Sequence, residues 1–114
     1  MQIFYLKNML FVYLRKVKKL MNAEIIEKLK YLSNWMIYDD ALHRNLEFKD
    51  FQDCIKAINR IAVECERLNH HPEWTNSYNT LAIRLTTHDK GGVTSLDLEL
   101  ASAINKIYNE AKRA

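Results

Sequence analysis

With 114 residues, 48% of them hydrophobic, the chain can bury one core of ordinary size and has no room for a second. Two glycines and one proline exclude collagenous, linker-rich or low-complexity organisation, and there is no internal repeat. The net charge of +3 is unevenly spread: residues 1–23 carry Lys7, Arg15, Lys16, Lys18 and Lys19 without an acid, and the other 12 basic residues face all 14 acids, so no broad basic field offers itself to nucleic acid.

The first twenty residues place their basic side chains after the apolar run, the reverse of a secretory signal, and Lys7 leaves that run too short to span a bilayer. Two readings stand for them. One is an organelle transit segment, though without the usual serines. The other, preferred, is an extension of the reading frame ahead of a natural start at Met21. Residues 1–21 are accordingly set apart as an N-terminal extension and 22–114 read as a single domain, expected in the cytoplasm and away from membranes.

Asn22 reads as the N-cap of a first helix to about Leu32, with Ile25, Ile26, Leu29 and Leu32 at helical spacing. Ser33 and Asn34 end it. Trp35 to Tyr38 reads as a short strand, Asp39 and Asp40 as a turn, and Leu42, Arg44, Leu46 and Phe48 alternate with their neighbours along a second strand. Asp50 can cap the next helix, whose apolar stripe runs through Cys54, Ile58, Ile61, Cys65 and Leu68. Cys54 and Cys65 stand about 16 Å apart along its axis and cannot pair there, so both read as buried apolar thiols of a reducing compartment.

Pro72 bars continuation of that helix, which should end near Leu68 or Asn69. Trp74 to Tyr78 reads as a third strand, Asn79 and Thr80 as a turn, and Leu81, Ile83 and Leu85 as alternate positions of a fourth. Asp89 to Gly92 form a loop, and Thr94 with Asp97 makes a capping-box-like start to a last helix carrying Leu100, Ile104, Ile107 and Ala111. The order α-β-β-α-β-β-α predicts an α+β fold, a four-stranded antiparallel sheet with three helices on one face. Its naked face and free edges point to a homodimer or homotetramer.

Three of the four histidines, His70, His71 and His88, fall in one stretch with Glu66, Pro72, Trp74 and Asp97. Histidine exchanges protons near neutrality, so such a cluster points to proton transfer or to metal binding. Zinc commonly takes His at i and i+4 of a helix or paired cysteines, and neither pattern occurs. Adjacent histidines in extended chain point to opposite faces, and no metal site is expected. There is no glycine-framed serine, no cysteine beside a histidine, and no phosphate-binding glycine loop. Singly, each residue also has a structural reading: Glu66 as a solvated helix residue, Asp97 as a cap partner, Trp74 as a core anchor and His71 as a helix-end residue.

Taken together, Glu66, His70-His71-Pro72, Tyr78, His88 and Asp97 match the spacing of a known motif, and the run from Asn69 to Asn79, the Thr87-His88 step and the stretch from Phe48 to Phe51 agree. The chain resembles the pterin-4a-carbinolamine dehydratase family, also known as dimerisation cofactors of a homeodomain transcription factor, from about Asn22 onward. The resemblance implies the same α+β fold and dehydration of 4a-hydroxytetrahydrobiopterin to quinonoid dihydropterin, which recycles the cofactor of aromatic amino-acid hydroxylases. It implies a pterin substrate and no cofactor. It also implies His70 and His88 as acid and base, His71 as a positioning or third catalytic residue, and pterin contacts from Pro72, Thr87, Asp89, Lys90 and Asp97. Glu66 and Trp74 support them. The rival reading is a non-catalytic binding protein, a dimerisation cofactor or regulator of a partner protein.

Overall fold

The structure, a computed structural model, describes residues 17–113. The first sixteen residues of the predicted extension therefore lie outside the described residues. The elements are α1 (Asn22–Leu29), β1 (Met36–Tyr38), β2 (Ala41–Glu47), α2 (Phe51–Leu68), β3 (Glu73–Ser77), β4 (Thr80–Leu85), one 3-10 turn (His88–Lys90) and α3 (Ser95–Arg113). The strands form one antiparallel sheet in the order β1-β2-β4-β3, giving the predicted α+β architecture. No helix of the described residues is long and apolar enough to cross a membrane.

Period-two alternation puts Leu42, Arg44 and Leu46 of β2 and Leu81, Ile83 and Leu85 of β4 on the inner face, with Leu42 opposite Leu85 and Leu46 opposite Leu81. Against them pack Cys54, Ala57, Ile61 and Cys65 of α2 and Leu100, Ala101, Ile104 and Ile107 of α3, all buried in one cluster. The outer face carries Asn45, Glu47, Thr75, Thr80 and Ala82, all exposed. Fully burying a leucine or isoleucine contributes roughly 1.5–3 kcal/mol, so this inner layer is the main support of the sheet–helix sandwich.

Several boundaries differ from the sequence expectation. The N-cap of α1 is Met21, not Asn22, because Glu24 lies where its Oε1 accepts the Met21 N–H at 3.2 Å. The helix stops at Leu29, and Leu32 reaches the core from the following turn. Trp35 lies outside β1, its indole N–H donated to Asn105 Oδ1 on α3 at 2.7 Å. The second hairpin turns at Tyr78–Asn79, one residue earlier than expected. Thr80 pairs with Ser77 and donates its hydroxyl to the Ser77 carbonyl, while Asn79 exchanges hydrogen bonds with the backbone of Phe48. Tyr78 accepts a left-handed φ of 49° there.

The end of α2 sets up the site. Asp50 caps its start, accepting the Asp53 N–H at 2.9 Å. At the other end Asn69 takes the left-handed conformation (φ 48°, ψ 47°), and the His70 N–H returns to the Cys65 carbonyl at 3.0 Å. Asparagine tolerates this conformation better than most residues, and Pro72 then keeps the chain extended into β3.

Candidate functional site

The cap at Asn69 splits the two neighbouring histidines. His70 turns inward and is 9% exposed, whereas the His71 side chain faces solvent with Nε2 3.6 Å from Glu66 Oε1, one turn back on α2. Both partners of the second pair are mostly exposed, so its electrostatic contribution is small, about 0–1 kcal/mol.

His70 Nε2 lies 2.5 Å from Oδ1 of Asp97, which sits in the first turn of α3 and is fully buried. Asp97 Oδ2 accepts the Thr87 hydroxyl and the Thr94 N–H, both at 2.8 Å. Thr94, also fully buried, has its hydroxyl 2.6 Å from that of Thr87 and accepts the Leu96 N–H at 3.3 Å. Thr87 gives its proton to Asp97, so Thr94 must donate to Thr87, and the chain of hydroxyls has one direction.

With Asp97 as a carboxylate, which has no proton to give, the proton in its contact with His70 belongs to Nε2. A neutral His70 ring then has its lone pair on Nδ1. The carboxylate supplies a counter-charge whenever the ring takes up a second proton, and a buried, ordered partner fixes both tautomer and ring plane.

Thr87 also anchors the last histidine. Its N–H donates to the Gly92 carbonyl at 2.9 Å and its carbonyl accepts the Lys90 N–H at 3.0 Å, closing the tight loop that begins with His88. Gly91 ends the 3-10 turn at φ 71°, a value that favours glycine. His88 is exposed, immediately after the residue that holds Asp97. Asp89 is exposed and Lys90 half-buried in the same turn. Pro72 and Trp74 are half-buried, Trp74 opposite Ile83 and packed on the core.

The structure thus brings His70, Thr87 and Asp97 together, with His88 next along the chain from Thr87. Tyr78, the aromatic of the motif, stands at the far end of β3, about 17 Å of strand away from Glu73 at 3.3–3.4 Å per residue. Its place is the hairpin tip. Thr94 is the residue that sequence reasoning treated only as a cap, and the Thr-x-x-Asp pattern was the signal for its second role. Among the described residues, no three His, Cys, Asp or Glu side chains are grouped to hold a metal ion.

An α+β domain with a buried His–Asp pair, tied through Thr87 to a loop that bears an exposed histidine, defines the class of protein. The chain belongs to the family described as pterin 4 alpha carbinolamine dehydratase, whose pattern matches residues 18–107. A protein of Prochlorococcus marinus (strain MIT 9515), provisionally named a pterin-4-alpha-carbinolamine dehydratase, is 41% identical over 91 residues, covering 80% of this chain and 95% of its own. One of the same name from Solibacter usitatus (strain Ellin6076) is 42% identical over 89 residues, covering 78% and 94%. A crystal structure described as transcriptional coactivator/pterin dehydratase from Brucella melitensis superposes with a TM-score of 0.78 at 38% identity, covering 80% of this chain and 99% of that one.

Proposed function

We propose that the chain dehydrates 4a-hydroxytetrahydrobiopterin to quinonoid dihydropterin and water. The family membership supports the substrate class, and the observation that carries the chemistry is the His70–Asp97 contact, which leaves one ring nitrogen of a held imidazole as a proton acceptor. Water loss breaks the C4a–OH bond as a proton reaches the departing hydroxyl. The N5 proton leaves to a base, and the N5 electron pair closes the C4a=N5 double bond. Two histidines in opposite protonation states meet both demands, with neither a metal nor a cofactor required.

In this reading His70 and His88 are the acid–base pair. His71 and Pro72 orient the pterin, and Asp89 and Lys90 contact it from the 3-10 turn. Asp97 and Thr87 act through His70, while Glu66 and Trp74 support the rings. The enzyme works as a homodimer or homotetramer in the cytoplasm. The test is turnover of freshly generated carbinolamine, followed by absorbance, with His70→Ala and His88→Ala. Each variant is expected to lose about 10²-fold or more in kcat while keeping its circular dichroism, and the parent enzyme to show a bell-shaped pH profile. Full activity in both variants refutes the assignment.

A second reading, binding to a partner protein, draws on the coactivator description of the Brucella structure and on the exposed Phe51 and Val63 of α2. Such a scaffold has no need of the His70–Asp97 network.

A further inference from the structure

Residues 17–20 run as irregular chain ahead of α1, yet Val17 and Leu20 are buried at 6% and 8% exposure. The Leu20 N–H donates to the Val93 carbonyl at 2.8 Å. Lys19 lies across the adjoining Gly92: a Cβ there would fall 2.7 Å from Lys19 Cε and within 3.3 Å of Cδ and Cγ, so the bare glycine is the seat of the lysine stem. The ammonium group beyond it reaches Asp40 Oδ1 at 3.7 Å, and the Asp40 carbonyl accepts the Thr86 hydroxyl at 2.8 Å.

These contacts bracket one loop. Thr86 and Thr87 lead into it, Gly92 and Val93 lead out, and the Thr87–Gly92 bridge closes it with His88 inside. Beyond Val93 comes Thr94, whose N–H and hydroxyl complete the seat of Asp97. The strap therefore holds the exit end of the segment that carries His88 directly, at Gly92 and Val93, and reaches its entry end through Asp40, which pairs with Lys19 and accepts from Thr86.

We propose that Lys19 and Leu20 are positioning residues for His88: the strap they form fixes the loop 87–93, and with it the direction in which the His88 ring is presented to the substrate. The proposal rests on the dehydratase reading for its kinetic arm and on geometry alone for its spectroscopic arm. It also gives the residues just ahead of Met21 a task within the folded domain.

The test uses the full chain. Leu20→Ala removes the buried anchor, Lys19→Ala removes the stem over Gly92, Leu20→Met is the conservative rescue, and each is made with His88 intact and with His88→Ala. Leu20→Ala is expected to lower kcat about tenfold or more with KM changed less than about threefold, since misplacement of about 1 Å can cost on the order of 10²-fold. In the His88→Ala background the further loss should be less than about twofold, and Leu20→Met should restore the rate. In nuclear magnetic resonance spectra the His88 ring signals should shift or broaden while those of His71 stay in place.

Equal losses in both backgrounds, or unmoved His88 signals, overturn the proposal. If the parent chain does not turn over the carbinolamine the dehydratase reading fails, and if His88→Ala is fully active His88 has no part in the reaction; in either case the ring signals alone decide the strap: movement upholds it and constancy overturns it. If Leu20→Ala does not fold, Lys19→Ala carries the same readouts, because that side chain is half exposed and its removal leaves the core intact.

Discussion

Replacing Asp97 by asparagine changes almost nothing in shape and reverses one proton preference. Oδ2 accepts two donors, the Thr87 hydroxyl and the Thr94 N–H, whereas Oδ1 meets only His70. The amide must keep its oxygen where two donors converge, so its NH2 faces His70 Nε2. Two N–H groups cannot share that 2.5 Å gap. His70 must move its proton to Nδ1, and the nitrogen that the proposed reaction uses as an acceptor becomes a donor. A ring in the wrong tautomer loses general-base function, a factor of about 10²–10⁴, equivalent to roughly 2.7–5.5 kcal/mol in the barrier. Stability should fall less, by about 1.5–3 kcal/mol, the range for a hydrogen bond to a charged group. Kinetics on fresh carbinolamine, the ring-nitrogen shifts of His70 and a thermal melt together separate these effects. An Asp97→Asn enzyme with parental kcat, or with its His70 proton still on Nε2, refutes the reasoning.

Two further predictions concern groups away from the chemistry. Burial pushes the Cys65 thiol up to about 11 from an ordinary value of 9.0, so the folded state holds its proton more tightly than the unfolded chain. The resulting stability is fully present below pH 9 and is lost as pH rises towards 11, by about 2–3 kcal/mol, and Cys65→Ser should flatten that decline in denaturant titrations at pH 8 to 11. Arg44 is buried with its Nε unpartnered, its guanidinium bonded to Asn105 and lying 4.9 Å from the centre of the Tyr108 ring, and burial lowers its pKa. Because Asn105 Oδ1 also receives the Trp35 N–H, Arg44→Met leaves no orphaned acceptor, and its unfolding free energy should stay within about 1 kcal/mol of the parent; a loss above about 3 kcal/mol would contradict this.

The elements with strong local signals were legible from sequence. Asp50, the stripe of α2 and Pro72 bound one helix, and alternation around Leu42–Leu46 and Leu81–Leu85 marked the central strands. The misses fall where a tertiary contact decides. Trp35 has strand propensity but leaves β1 for Asn105, and Tyr78 takes a left-handed turn position because Asn79 and Thr80 are already committed to Phe48 and Ser77. At the site, the motif spacing assembled His70, His88 and Asp97 as a group. It could not say which histidine Asp97 holds, since that pairing crosses 27 residues and depends on how α3 docks against the end of α2. The burial of Leu20 was invisible for the same reason, and of Thr94 the Thr-x-x-Asp pattern showed the cap but not the hydroxyl's contact with Thr87.

The amide of His70 belongs to the helix cap, so the imidazole paired with Asp97 and the last turn of α2 share one local equilibrium. Whenever the Cys65 carbonyl lets that amide go, Asn69 is free to leave its left-handed well and the imidazole loses its registration with α3. Hydrogen exchange at a single backbone position, His70, therefore counts the fraction of molecules with that ring seated, which under the proposed reaction is the fraction ready to react. Fraying of that turn by 1.4 kcal/mol less than the parent's cost would raise the unready population about tenfold, with global unfolding unchanged.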